Sequence, residues 1–87
     1  MELDQARDAL RSYIRQKFGI AETESDFTDQ VHLFDYGYID SFGAVELMAF
    51  MQKKFEIKIG PVDFVLFPLN SISNLAHFAL RRHRGEI

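Results

Sequence analysis

The chain is short, contains no cysteine and is mildly acidic. Its 87 residues suffice for one domain with one hydrophobic core, which we expect to span residues 1–87. Without cysteine, disulfides, thiolate metal sites and cysteine nucleophiles are excluded. A net charge of −3 argues against binding to nucleic acid or to an anionic membrane, because such proteins carry an excess of Lys and Arg. No leader-like segment and no long apolar run is visible, so we expect a cytoplasmic protein. We also expect a monomer.

The first helix and a long loop are predicted from the spacing of apolar residues. Apolar side chains recur at intervals of three and four at Leu3, Ala6, Leu10, Ile14 and Phe18. This spacing predicts helix 1 over residues 3–18, ended by Gly19. No period continues over residues 20–39. A loop of about 20 residues is long for a compact domain, and we expect its aromatic side chains to hold it in place.

Three further helices are predicted in the second half of the chain. Asp40 is a good N-cap for helix 2, which extends to about Phe55. Gly60-Pro61 breaks the pattern and leaves room for a short helix over residues 62–67. Asn70 or Ser71 caps the last helix, which ends in an arginine-rich segment suited to a helix C-terminus. The sequence therefore predicts an all-α bundle of three long helices and one short one. Six core residues are predicted: Leu10, Leu47, Met51, Phe55, Leu75 and Leu80.

The densest unusual segment is residues 35–43, where an aromatic loop leads into a helix start at which Ser41 follows Asp40. Helix capping alone would explain this pair. With about 100° of rotation per residue, however, Phe42 and Val45 face away from the predicted core. An exposed Phe beside an exposed Ser at a helix start is hard to explain by folding. It favours a docking surface beside a modified hydroxyl.

The segment Gly37–Leu47, GYIDSFGAVEL, resembles the attachment-site motif of acyl carrier proteins, in which Asp-Ser-Leu opens the second helix and Val-Glu-Leu follows. The preceding LFD segment, the FEIKI segment at residues 55–59 and the last helix also lie where that family has them. The resemblance implies a four-helix acyl carrier without catalytic activity, with 4′-phosphopantetheine on Ser41 and acyl or aminoacyl groups held as thioesters. It also implies that Asp40 helps a phosphopantetheinyl transferase to recognise the serine. A phosphodiester on Ser41 would lie at a helix N-terminus, which favours negative charge.

The resemblance further implies several protein partners. These are the phosphopantetheinyl transferase, an acyl-loading enzyme (a ligase, adenylation enzyme or acyltransferase), and downstream synthase or modifying enzymes. From the helical phase we predict the partner-binding residues to be Phe42, Val45, Glu46, Ala49 and Lys53. We expect no metal, nucleic-acid or membrane site.

Two departures from the family pattern narrow the predicted role. Phe42 stands where the family more often has Leu, and Gln52, Lys53 and Lys54 replace much of the acidic surface found on helix 2 of fatty-acid carriers. This favours a freestanding carrier of a specialised pathway, such as polyketide or hybrid peptide assembly, or a D-alanyl-carrier-like protein. Asp40 stands where peptidyl carriers usually have His, which argues against that subgroup.

Other interpretations fit the residues less well. The main alternative is a small helical interaction module that binds one partner through Phe42 and Val45 without a cofactor. An EF-hand over residues 35–46 would lack oxygen ligands at Gly37 and Ile39, and Asp40 would replace its essential Gly. A nucleophile elbow around Ser41 would lack its first Gly, and the three His residues form no evident triad.

Overall fold

Four helices and no strand make up the fold in the computed structural model, which describes residues 1–87. The helices are α1 (Leu3–Lys17), α2 (Ser41–Phe55), α3 (Pro61–Leu66) and α4 (Ile72–His83). This confirms the predicted all-α bundle with three long helices, one short helix and a long loop between the first two. None of the helices combines the length and the apolar character needed to cross a membrane.

The helix ends follow from local capping chemistry. Gly19 has a φ of 66°, a left-handed conformation that stops α1 just after Phe18. Ser71, rather than Asn70, caps α4, because its side chain accepts a hydrogen bond from the Asn74 N–H. The predicted start of α3 at Val62 was wrong by one residue. Pro61 is the first residue of the helix, where its missing N–H costs no intrahelical hydrogen bond.

One hydrophobic core joins the three long helices and the long loop, and α1 packs most extensively against α4. Buried apolar residues recur along α1 at Ala6, Leu10 and Ile14, as their spacing predicts. All six residues predicted for the core are buried. The hydrophobic phase of α2 is thereby confirmed.

The loop over residues 20–39 is fixed by buried side chains and by backbone hydrogen bonds. Phe27, Leu33 and Ile39 are buried, and the Phe27 and Tyr38 rings pack edge to face with centroids 5.4 Å apart. The Leu33 N–H donates to the Asn70 carbonyl at 2.7 Å. The prediction that aromatic residues hold this loop is confirmed. Ile39, the residue before Asp40, is held in place by its burial in the core.

An ion pair anchors α3 to α4. Asp63 is only 6% exposed, and its carboxylate lies 3.2 Å from Arg82 Nη2 while also accepting the Gly60 N–H at 2.9 Å. Arg82 additionally donates to the Lys58 carbonyl at 2.9 Å and lies over the Phe78 ring. The sequence suggested only a cationic helix end here. Arg82 in fact joins α4 to α3 and to the segment that precedes α3.

Candidate functional site

The start of α2 presents an exposed serine beside its cap. Asp40 is the N-cap residue, and its Oδ1 accepts the Gly43 N–H at 2.8 Å. Ser41 is the first residue of the helix and is exposed. The first N–H groups of a helix have no intrahelical partners and favour a negatively charged group nearby. The predicted cap is confirmed, and it leaves the Ser41 hydroxyl on the surface.

Close packing of Gly43 holds this helix start against α1. A Cβ added at Gly43 would lie 2.7 Å from Phe18 Cε1 and 3.0 Å from Ile39 Cγ2. No ordinary side chain fits without displacing those atoms. The absence of a side chain at Gly43 therefore lets the first turn of α2 approach Phe18, and this contact positions Ser41.

The residues predicted for partner binding lie mostly as expected. Phe42 and Val45 are 75% and 60% exposed, and Ala49 and Lys53 are exposed as well. Glu46 is less exposed than the other four, with 37% of its side chain accessible, because it turns towards α1.

Two contacts hold Glu46 against α1. Its carboxylate lies 2.9 Å from Lys17 Nζ, a hydrogen bond that raises the pKa of Lys17. The Tyr13 hydroxyl donates to the Glu46 carbonyl at 3.3 Å. Both contacts come from residues distant in the sequence, so helical phase alone could not reveal them. Glu46 is thus part of an ion pair at the edge of this surface.

An apolar groove of about 590 Å³ opens directly beside Asp40 and Ser41. Its apolar lining comes from the loop, α2 and α3, at Phe34, Ile39, Ala44, Val45, Met48, Pro61 and Phe64. Phe34 and Phe64 meet edge to face, with centroids 6.1 Å apart. Met48 belongs to the buried core as well as to the wall of the groove, so the helical phase of α2 alone did not reveal the groove. The small side chain of Ala44 is the one local signal that this face is not filled.

The short helix α3 adds exposed apolar side chains near Ser41 that are not among the predicted partner-binding residues. Val62, Val65 and Leu66 are 61%, 83% and 68% exposed. The signal lay in the composition of the helix, PVDFVL, which has more apolar residues than one face of six residues can bury. These side chains lie on a helix that borders the groove beside Ser41.

An aromatic pair precedes the site. Tyr36 stacks on Tyr38 with ring centroids 5.0 Å apart, and its hydroxyl donates a short hydrogen bond to the Asp26 carboxylate. This hydrogen bond is the largest cause, and desolvation the second largest, of a rise in the pKa of Tyr36 to about 12. Burial also raises the pKa of Tyr38. The pair stiffens the segment that leads to Asp40.

The chemistry available at Ser41 is that of a hydroxyl to be modified. An activated serine nucleophile needs a general base within hydrogen-bond reach. No side chain forms a hydrogen bond with Ser41, and His32 is engaged instead with Asp35, its Nδ1 accepting the Asp35 N–H at 3.0 Å. His77 and His83 lie on α4, and neither forms a hydrogen bond with Ser41; the Nδ1 atom of His83 is 3.1 Å from the Phe55 carbonyl oxygen.

A helical bundle that displays one serine at a capped helix start, beside an apolar groove, has the form of a carrier domain. A family model described as phosphopantetheine attachment site matches residues 8–79, so the chain belongs to the phosphopantetheine-binding carrier family. Members of this family carry a covalently attached 4′-phosphopantetheine group and are carriers rather than enzymes. A search of curated proteins finds no match to the chain.

Proposed function

We propose that Ser41 carries the 4′-phosphopantetheine arm and that residues 1–87 act as one carrier unit, shuttling acyl groups as thioesters on the thiol of the arm. The observation that carries this proposal is the exposed position of Ser41 at the start of α2, directly after Asp40. Ser71 also stands at a helix start, but it is 4% exposed and its Oγ accepts the Asn74 N–H at 3.1 Å. Of the serines at helix starts, Ser41 is exposed, whereas Ser71 is buried and Ser73 is half-buried.

Asp40 has two compatible roles in this proposal. One carboxylate oxygen caps the helix through the Gly43 N–H. The residue as a whole is exposed, so a phosphopantetheinyl transferase can reach the other oxygen when it recognises the serine. After transfer, the phosphodiester lies at the N-terminus of α2, where free N–H groups and the helix dipole stabilise negative charge.

The groove beside Ser41 supports an apolar acyl cargo. Its lining is almost wholly apolar, and Met48 and Phe64 supply two of its largest side chains. Each methylene group moved from water into such a site gains about 0.8 kcal/mol. An acyl chain therefore gains from lying there, whereas the ammonium of an aminoacyl group would find one opposite charge, that of Asp40, in an otherwise apolar lining. This favours acyl over aminoacyl cargo for the carrier.

The surface of α2 supports a role in a specialised pathway such as polyketide or hybrid peptide assembly. We assign the residues Phe42, Val45, Glu46, Ala49 and Lys53 to a docking face for the transferase, the acyl-loading enzyme and the downstream enzymes. Gln52, Lys53 and Lys54 give the C-terminal half of α2 a positive rather than an acidic surface. A carrier of general fatty-acid synthesis, with its acidic helix, would present the opposite charge.

Intact-mass measurement after coexpression with a broad-specificity phosphopantetheinyl transferase tests the attachment. We expect the wild type to gain the mass of one phosphopantetheine and Ser41→Ala to gain none. Ser12→Ala is the matched control, because Ser12 is an exposed serine within α1, and it should be modified like the wild type. An unmodified wild type would favour the cofactor-free interaction module, and a modified Ser41→Ala would move the attachment elsewhere.

A further inference from the structure

The carboxylates around the docking face are largely engaged in contacts within the protein. The Glu46 carboxylate lies 2.9 Å from Lys17 Nζ, so at the surface it is one half of an ion pair. Asp63 on α3 is nearly buried and pairs with Arg82. An approaching protein therefore meets neither carboxylate as a free negative charge.

The charges that remain lie at opposite ends of α2. Asp40 stands beside Ser41 at the start of the helix and is exposed, whereas Lys53 and its neighbour Lys54 are exposed in the last turn and form no ion pair, and Lys53 is the one on the docking face. Between them lie the exposed Phe42 and Val45. At 1.5 Å per residue, Lys53 lies about 18 Å along the helix from Ser41.

The neighbouring helix α3 adds apolar surface but no free charge. Its exposed residues are Val62, Val65 and Leu66, and its one charged residue is the paired Asp63. The face as a whole is thus acidic beside the attachment serine, apolar in the middle and basic at the far end. Such a pattern has a direction, and complementary charges on a partner would fix the orientation in which the two proteins meet.

From this pattern we infer that the enzymes that act on the arm meet the docking face with an apolar surface opposite Phe42 and Val45 and with carboxylates opposite Lys53, about 18 Å from the point where they receive the arm. This inference rests on the proposed function and adds the polarity of the partner. The apolar centre supplies most of the affinity, and the pair at Lys53 selects partners and speeds encounter. Enzymes with a basic patch at that distance are rejected.

Arm transfer by two purified phosphopantetheinyl transferases of known structure tests the inference. One is chosen with carboxylates about 18 Å from the diphosphate of its bound coenzyme A, which the serine attacks, and the other with basic residues at that place. A fluorescent coenzyme A analogue reports the initial rate. We expect kcat/KM for the wild type to be about tenfold higher with the acidic-faced enzyme, and the difference to shrink as salt is raised.

Charge reversal locates the effect on the helix. Lys53→Glu should abolish or invert the preference, whereas Lys54→Glu should change it by less than about twofold, because Lys54 lies about 100° around the helix. Equal rates with the two enzymes, a preference for the basic face, or equal effects of the two variants would overturn the inference. So would a dimer of the chain that Phe42→Ala dissociates. In each case a mass gain at Ser41 would leave the proposed function intact, whereas no mass gain at all would remove the proposed function.

Discussion

Replacing Arg82 by Ala tests how strongly the ion pair to Asp63 holds α3 in place. The Asp63 side chain is 9% exposed and that of Arg82 is 22% exposed, so the pair is neither fully buried nor a surface pair. Truncating one partner of a buried pair costs about 3–5 kcal/mol, and exposed pairs contribute about 0–1 kcal/mol. Loss of the contact with the Phe78 ring adds about 0.5–1 kcal/mol.

We therefore expect Arg82→Ala to lower the free energy of unfolding by about 3 kcal/mol, which is roughly 12–24 °C in melting temperature for a domain of this size. Urea denaturation followed by circular dichroism measures it. Arg81→Ala is the matched control, because Arg81 is the neighbouring residue, is about half exposed and pairs only with Glu86 at 3.7 Å. That variant should stay within about 0.5 kcal/mol of the wild type.

A double-mutant cycle with Asp63→Asn separates the ion pair from the other contacts of Arg82. Asn keeps an oxygen that can accept the Gly60 N–H. The coupling between the two substitutions should be roughly 0.5–3 kcal/mol. If Arg82→Ala unfolded at the same urea concentration as Arg81→Ala, or if the coupling were zero, the anchoring role of this pair would be refuted.

Three further predictions concern the core, the docking face and Tyr36. Met51→Ala should lower the free energy of unfolding by about 2–5 kcal/mol in thermal or urea melts, because Met51 is fully buried; an unchanged melt would contradict its place in the core. Phe42→Ala and Val45→Asp should keep the wild-type melting temperature and slow acyl loading by the cognate enzyme, since both side chains are exposed; unchanged loading of both would move the docking face elsewhere. The raised pKa of Tyr36 stabilises the fold below pH 10, and this contribution is lost as the pH rises from about 10 through 12; phenolate absorbance should show the late titration, and Asp26→Asn should bring it forward.

Local patterns in the sequence predicted most of the fold and the exposed helix start at Ser41. Spacing alone identified the buried face of α2, and capping chemistry identified Asp40 as the residue before the helix. The same phase correctly predicted that Phe42 would be exposed. These features depend on residues within one or two helical turns of each other, so a single sequence contains the information.

Features that depend on tertiary contacts were not accessible in this way. The Lys17 contact of Glu46 and the Arg82 contact of Asp63 join residues far apart in the chain. The groove beside Ser41 lies between α2 and α3, and the ion pair of Arg82 with Asp63 ties α3 to α4. A pattern within one helix predicts which face is buried but not which residues of other helices contact it. The ion pairs of Glu46 and Asp63 and the groove therefore could not be predicted from the sequence.

The hydrogen bonds between the long loop and the first turn of α4 bear on how a tethered cargo can move. Besides the bond from Leu33 to Asn70, the Ser73 N–H donates to the Asp29 carbonyl at 2.9 Å. Ser41, the proposed attachment residue, therefore directly follows a segment that is itself secured to the last helix. Amide hydrogens of the loop and of α4 should exchange with solvent together, as one cooperative unit. In the proposed function, the cargo then reaches different enzymes through rotations within the arm, because the protein around Ser41 stays fixed.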